Sequence, residues 1–226
     1  MLRHPTPTAT NDSDKPRVHT ASGAAAIHVY LSGMSRLRPF VRAELDDAQA
    51  EIWDRVTARP QVGPFTWVDE QGSLIGPLNA YLHAPDIGGR LAALGAHVRD
   101  RLSIEPRLCE VAVCTVGAHW QSEFEFWAHG AIAIRQGVDP AVLEALRDGR
   151  APSFNRDDER VVHSITAQLL KDRRVDDETY AAGVDLLGDA GMVELVSLAG
   201  YYCLISMLLN LFDVGLPTGE KRAWGV

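Results

Sequence analysis

Residues 110–130 read EVAVCTVGAHWQSEFEFWAHG and place two histidines and three glutamates inside an apolar run. The longer run from Arg107 to Gln136 has helical periodicity and is followed by Gly137, a residue that commonly ends helices. A helix this apolar is expected in a protein core or at a subunit interface. Ionisable groups are costly to bury, so their number here indicates either a functional site or buried ion pairs.

The rest of the chain also favours helices. Asp46 or Asp47 is a suitable N-cap for one helix, and Asp139 followed by Pro140 begins another. No alternating strand pattern bounded by hairpin turns is present. We therefore predict an all-α fold with about eight helices. The expected helical segments are residues 45–59, 77–85, 85–102, 107–136, 139–149, 156–172, 176–191 and 191–212.

Composition restricts the classes of function. The formal net charge is −8 and lysine and arginine are not clustered, which argues against nucleic-acid binding. Residues 1–30 are polar and lack a signal-peptide core, so we expect a flexible arm there and a single domain over residues 31–226. The apolar stretch at residues 198–212 is shorter than a membrane helix needs, so no membrane segment is expected.

The cysteines and histidines argue against a disulfide framework and a metal site. Cys109, Cys114 and Cys203 form no CxxC motif, which is typical of reduced thiols in a cytoplasmic protein. The eight histidines are not paired at metal-ligand spacing. We expect neither a metal nor a cofactor.

Four polar residues share one face if residues 107–136 form a regular helix. Relative to Glu110, the side chain of Glu125 lies at about 60°, His129 at about 100° and Ser122 at about 120° around the axis. Glu125 and His129 are also an i,i+4 pair. A histidine beside two carboxylates in an apolar setting suits general acid–base catalysis. A buried ion pair with a structural role is the alternative, and the spacing alone does not decide between them.

The same four positions resemble the motif of the carboxymuconolactone decarboxylase and alkylhydroperoxidase D superfamily. In its peroxidase branch the motif runs Glu, eleven residues, Cys, two residues, Cys, three residues, His, and here Glu110, Ser122, Glu125 and His129 occupy those places. The resemblance extends over roughly residues 37–214. It implies an all-helical fold assembled as homotrimers or homohexamers, with sites near subunit contacts.

The two motif cysteines are replaced by Ser122 and Glu125, which removes the thiols that peroxide reduction needs. The resemblance therefore implies the decarboxylase-type branch. Its expected reaction is a cofactor-free lyase or isomerase step on a small carboxylated lactone or related unsaturated acid, as in aromatic catabolism. The alternatives are a peroxidase-type oxidoreductase and a non-catalytic oligomeric ligand-binding protein.

In the expected mechanism His129, assisted by Glu125, delivers a proton to carbon. Glu110 sets the tautomer or the pKa of His129, and Ser122 donates a hydrogen bond to a substrate oxygen. An anionic substrate needs a cation to offset the glutamates, for which the candidates are Arg90, Arg99 and Arg107. The candidate pocket walls, each of which has core packing as its alternative, are Phe65, Trp67, Tyr81, His83, Trp127 and Tyr201.

Overall fold

The computed structural model describes residues 35–60 and 66–225, and over these residues it confirms the all-α class. The only β-structure in the described ranges is two isolated bridges, Val41 with Ser73 and Val68 with Leu74. The predicted arm at residues 1–30 and the candidate Phe65 lie outside the described residues. The helices are α1 Asp47–Thr57, α2 Leu78–His83, α3 Pro85–Asp100, α4 Pro106–His119, α5 Glu123–Arg135, α6 Pro140–Arg147, α7 Asp157–Asp172 and α8 Asp177–Leu211.

Side-chain caps confirm two of the helix starts that the sequence predicts. Asp46 caps α1 in a reciprocal capping box with Gln49, which satisfies two backbone N–H groups at the end of the helix. Asp139 accepts a hydrogen bond from the backbone N–H of Ala141 at the start of α6, directly before Pro140.

The predicted continuous helix over residues 107–136 is wrong, because the chain turns between Trp120 and Ser122. Trp120 ends α4, Gln121 adopts a left-handed conformation with φ 48°, and Ser122 is the N-cap of α5. A short connection of this kind folds two helices back on each other. Residues 118–129 contain neither glycine nor proline, so the sequence has no strong turn signal at this point.

Helix α4 lies at the centre of the fold. Every residue from Val111 to Gly117 is buried, and the helix packs chiefly against α5, α7 and α8. A helix covered by neighbours on all sides needs apolar residues around its whole circumference. This explains why residues 107–119 show no polar face in the sequence.

Helix α8 is bent at Gly188, where φ is +66° and ψ is 173°. Such a backbone conformation favours glycine, which has no Cβ to clash. The bend separates residues 177–187 from residues 189–211, close to residue 191, where the sequence predicts the boundary between two helices.

Within the described part of the chain, α8 is the one helix long and apolar enough to cross a membrane. Its most apolar window has a mean hydropathy of 1.8 and is 39% buried in the fold. A core helix that packs inside a folded domain meets the same criterion, and α8 packs against α4 and α7. The sequence-based expectation of no membrane segment stays a prediction.

Arg107, a candidate substrate cation, instead joins α4 to α7. Its guanidinium lies 2.6 Å from Glu159 Oε1, 2.6 Å from Asp158 Oδ2 and 3.1 Å from Glu105 Oε2. The side chains of Arg107 and Glu159 are only 3% and 4% exposed. A buried ion needs a partner, so this cluster fixes the register of the two helices.

We predict that Arg107→Met lowers the free energy of unfolding by about 3–5 kcal/mol, because Glu159 is left buried without its partner. Urea denaturation followed by circular dichroism measures the change. The double variant Arg107→Met/Glu159→Met should recover most of the loss, since both charges are removed together.

The matched control is Arg160→Met, which removes an exposed ion pair with Asp157 and should change stability by less than about 1 kcal/mol. Equal stabilities of Arg107→Met and Arg160→Met would show that the buried cluster does not brace the helices.

Candidate active site

The site is built where α4 and α5 face each other. His129 on α5 donates Nδ1–H to Oε2 of Glu110 on α4 at 2.8 Å. Both residues are buried, each 8% exposed. The predicted grouping of Glu110 with His129 is therefore present, but it forms across two helices and not along one.

Glu125 completes a three-residue cluster from the same helix as His129. Its Oε1 lies 3.2 Å from Nε2 of His129, and the two residues are one helical turn apart. Glu125 is 3% exposed. The imidazole therefore has a carboxylate at each nitrogen, with Glu110 at Nδ1 and Glu125 at Nε2.

Burial and mutual charge set the proton affinities of this cluster. Burial raises the pKa of Glu125, and the nearby carboxylate of Glu110 raises it further, against the opposing effect of His129. Burial by itself lowers the pKa of His129, but the charges of Glu110 and Glu125 and the Glu110 hydrogen bond raise it overall. Both groups therefore hold a proton more strongly than in water, as proton donors to a substrate must near neutral pH.

Glu125 and His129 line a cavity of about 60 Å³ between α2, α3, α5 and α8. Its wall is mainly aromatic and aliphatic, which lowers the local dielectric constant and strengthens electrostatic interactions inside. The remaining described lining residues are Trp67, Ile75, Pro77, Leu78, Tyr81, Arg99, Phe124, Ala128, Tyr201, Tyr202 and Ile205.

The candidate wall residues divide into two groups. Trp67, Tyr81 and Tyr201 line the cavity. His83 does not: it is exposed, and its ring lies 3.0 Å from the carbonyl of Arg38. Trp127 is also absent from the described lining and packs against the ring of Phe124.

Arg99 is the one of the three candidate cations that reaches the cavity. Its guanidinium lies 5.6 Å from the centre of the Trp67 ring, a cation–π arrangement that holds the side chain at the wall. The Nε atom is buried and has no hydrogen-bond partner within the described ranges; the nearest carboxylate, on Asp100, is 3.7 Å away. Arg90 is exposed and outside the described lining.

Ser122 is fully buried at the start of α5, and its hydroxyl has no hydrogen-bond partner among the described residues. It is not part of the described cavity wall. Ser122 is the N-cap of α5. The structure thus assembles Glu110, Glu125 and His129 but does not bring the Ser122 hydroxyl to the same cavity.

The thiols do not line the cavity, although the charge of Glu110 contributes to the raised pKa values of Cys109 and Cys114. Cys114 is fully buried, and burial raises its pKa well above the usual value. Burial also raises the pKa of Cys109 to about 12 and raises that of Cys203. None of the three belongs to the described cavity lining, and the described residues include no group of three or more His, Cys, Asp or Glu suited to a metal ion.

Seven of the described lining residues were not candidates in the sequence, and two of these, Phe124 and Tyr202, are aromatic. Tyr202 packs edge-on against the His129 ring with 4.8 Å between centres, and so fixes the imidazole orientation. It lies next to the predicted Tyr201 on α8, and adjacent residues on a helix normally point in different directions. The cavity lies at the edge of α8, so both side chains reach it.

No protein-family model and no curated protein matches this chain. Solved structures do match it. A peroxidase-related protein from Ralstonia eutropha JMP134, described as an alkylhydroperoxidase AhpD core, has a TM-score of 0.64 at 14% identity over 83% of this chain and 95% of that one. The debrominase Bmp8, solved with 2,3,4-tribromopyrrole, has a TM-score of 0.60 at 12% identity over 80% and 90%. These likenesses show the AhpD-like fold, which confirms the fold that the sequence resemblance implied.

The raised pKa values of His129 and Glu125 predict that stability falls as the pH rises. The stabilising contribution of His129 is complete below its ordinary pKa of 6.5 and is lost as the pH passes its raised value in the folded protein. The stabilising contribution of Glu125 is complete below its ordinary pKa of 4.5, and it is also lost as the pH rises through its raised pKa in the folded protein. Urea denaturation at a series of pH values should show this decrease, with a shallower slope for Glu125→Gln.

Nuclear magnetic resonance titration of the histidine rings gives an internal control. Burial lowers the pKa of His163, so its midpoint should lie below 6.5 while that of His129 lies above it. A His129 midpoint at or below that of His163 would contradict the assignment of a protonated imidazole between two carboxylates.

Proposed function

We propose that the protein is a cofactor-independent lyase, in the first place a decarboxylase, or an isomerase. Its substrate is a small carboxylated lactone or related unsaturated acid. The observation that supports this proposal most is the buried cluster Glu110–His129–Glu125 at the wall of an apolar cavity. A group that holds a proton at neutral pH beside an apolar space is suited to transfer that proton to carbon.

Arg99 supplies the cation that an anionic substrate requires. Arg99 lines the cavity. Among the described residues, no carboxylate lies within hydrogen-bond distance of its Nε atom. A guanidinium offers several N–H donors in one plane, which suits a carboxylate or carbonyl oxygen. In the proposed complex Arg99 binds an oxygen that the substrate keeps, and the carboxylate that leaves faces the aromatic wall.

The reaction consists of one bond cleavage and one proton transfer. The bond between the substrate carbon and its carboxylate breaks, CO₂ leaves, and the electron pair is delocalised into the conjugated carbonyl group. His129, with Glu125 at its Nε2, then protonates the carbon, and a proton from solvent restores the cluster. In an isomerisation the same pair removes a proton from one carbon and returns it to another.

The cavity limits the size of the substrate. Its volume of about 60 Å³ is well below the roughly 150 Å³ of an engineered cavity that binds benzene. Only the reacting part of a ring fits in the space beside His129, and the remainder of the molecule extends toward the mouth. The proposal therefore favours a small substrate that the cavity encloses only in part.

A peroxidase-type function has less support, because a thiol peroxidase needs a low-pKa, accessible thiolate. The thiols here have raised pKa values and are not part of the described cavity lining. A non-catalytic ligand-binding protein remains the second reading, since an aromatic cavity with one arginine also suits simple binding of an anion.

We predict that Glu125→Gln and His129→Asn lower kcat by about 10²–10⁴-fold, because each removes a proton-transfer group. The assay is CO₂ release from a panel of unsaturated lactone acids, with product spectra recorded to detect isomerisation. Alkylation of the cysteines should leave kcat unchanged.

The controls match each substitution at an exposed position: Glu144→Gln on α6 and His119→Asn at the end of α4. Circular dichroism establishes that all variants fold. Turnover by Glu125→Gln and His129→Asn at the rate of these controls would refute the acid–base role, and binding of the acids without turnover would favour the ligand-binding reading.

Assembly into a homotrimer or homohexamer is also a proposal, for which the exposed surface of α8 provides a contact. Val193, Val196, Met207 and Leu211 are 47–67% exposed on this helix. Residues 189–211 contain no lysine or arginine, which membrane-surface helices usually carry on their polar face. A second copy of the chain is the partner that best suits a charge-poor apolar face.

Val196→Glu is expected to reduce the oligomer mass, because it places a charge in the proposed contact between α8 helices. Light scattering after size-exclusion chromatography measures the mass, with Glu144→Gln as a control. A monomeric wild-type protein, or an unchanged mass in the variant, would exclude this contact.

A further inference from the structure

Two tyrosine hydroxyl groups meet at the wall of the cavity. Tyr81 on α2 and Tyr201 on α8 are hydrogen-bonded to each other with 2.9 Å between their oxygens. Tyr81 is only 2% exposed, and both residues line the cavity that holds Glu125 and His129. The pair thus adds two neutral hydroxyl groups to a wall that also carries Arg99, Glu125 and His129.

The pair has one hydrogen-bond donor left over. Each phenol has a single O–H, and only one of the two protons is used in the bond between them. Tyr81 is the more deeply buried partner. Either hydroxyl can donate in this bond. Because Tyr81 is the more buried, we assign it as the donor to Tyr201, which leaves the Tyr201 O–H for a ligand.

Gly95 on α3 makes room for this arrangement. A Cβ atom at residue 95 would lie 2.1 Å from the hydroxyl oxygen of Tyr201 and 2.8 Å from its Cζ. Gly95 and Arg99 are one helical turn apart, so they lie on the same face of α3. The absence of a side chain at residue 95 thus lets the Tyr201 hydroxyl approach the helix that carries Arg99.

Both phenols remain protonated near neutral pH and so remain donors. Burial raises the pKa of Tyr81 well above 10, and its hydrogen bond with Tyr201 contributes in the same direction. Burial also raises the pKa of Tyr201, while the hydrogen bond with Tyr81 opposes this rise. Tyr201 is therefore the more acidic of the two and the stronger donor to an oxygen in the cavity.

We infer that the Tyr81–Tyr201 pair is the oxyanion-binding element of the cavity, with Tyr201 as the donor and Tyr81 and Gly95 as positioning residues. This inference rests on the proposed function and narrows its substrate class. The substrate must have a carbonyl group conjugated with the carbon that loses CO₂ or a proton.

The electron flow follows from this assignment. When the bond to the carboxylate breaks, its electron pair moves through the conjugated system onto the carbonyl oxygen, which becomes an enolate. Tyr201 stabilises that negative charge by its hydrogen bond and keeps its own proton. The enolate returns to the carbonyl form when His129, with Glu125 at its Nε2, protonates the carbon. The oxyanion and the proton donor therefore act at opposite ends of one conjugated system.

The alternative is that the two phenols only satisfy each other inside the fold. In that case loss of one hydroxyl affects stability, but it has no selective effect on kcat or on the binding of an anion. The two readings therefore differ in a measurable way.

The first test compares Tyr201→Phe, Tyr81→Phe and Gly95→Ala with wild type on a lactone acid that is turned over. Loss of an oxyanion donor typically lowers kcat by about 10²–10³-fold, and this loss is expected for Tyr201→Phe with a much smaller change in KM. Gly95→Ala should lower kcat in the same way, because the methyl group displaces the Tyr201 hydroxyl. In a Tyr201→Phe background Gly95→Ala should have little further effect on kcat.

Gly89→Ala is the matched control, since it is the same substitution on the same helix. Its Cβ would make only ordinary contacts with Ile52, at 3.7 and 3.9 Å. It should therefore keep the wild-type kcat. A folded Tyr201→Phe or Gly95→Ala variant with the wild-type kcat would overturn the inference. If Glu125→Gln loses kcat in the same assay, the proposed function is still supported.

The second test needs no turnover. The coloured anion 4-nitrophenolate carries its charge on a single oxygen conjugated with a ring, as the enolate does. Wild type should bind it and lower its apparent pKa, measured by absorbance, and Tyr201→Phe should weaken binding at least tenfold while Gly89→Ala does not. No binding by wild type at millimolar concentration, or equal affinity of Tyr201→Phe and wild type, would overturn the inference whatever the lactone acids show.

Discussion

The hydrogen bond between Glu110 and His129 is the contact on which the candidate site depends. It links α4, the central helix of the core, to α5, and it lies where neither side chain can be satisfied by bulk water. A buried carboxylate and a buried imidazole are each costly alone, and each lowers the cost of the other. The path of the chain at residues 120–122 is what allows the two side chains to meet.

Placing Glu125 at the other nitrogen of His129 gives the cluster its chemistry. In the peroxidase-type motif that the sequence resembles, this position is a cysteine, whose thiolate transfers electrons. A buried carboxyl group with a raised pKa exchanges protons instead. The cavity beside it has an aromatic wall, a guanidinium and a pair of phenols. Under the proposed function these groups are the hydrogen-bond donors for charge that develops on a ligand.

Much of the fold and part of the site follow from the sequence. Helical periodicity predicts the class, and the N-caps at Asp46 and Asp139 predict two helix starts. The i,i+4 pairing of Glu125 with His129 is local, so it is also predictable. The turn at Gln121 is not, because no glycine or proline lies within residues 118–129 to mark it. Arg99 could be chosen from three arginines only once the packing of α3 against Trp67 was known.

The predicted continuous helix over residues 107–136 is wrong, but it nevertheless placed Glu110 and His129 together. On one continuous helix Glu110 and His129 share a face because of their spacing, whereas in the fold they meet because they lie on either side of a turn between two packed helices. Ser122 shows where the two geometries differ. A continuous helix puts its hydroxyl on the common face, but as the N-cap of α5 it is buried outside the described cavity wall. Sequence spacing therefore predicts the position of a side chain least well for residues within the turn, such as Ser122.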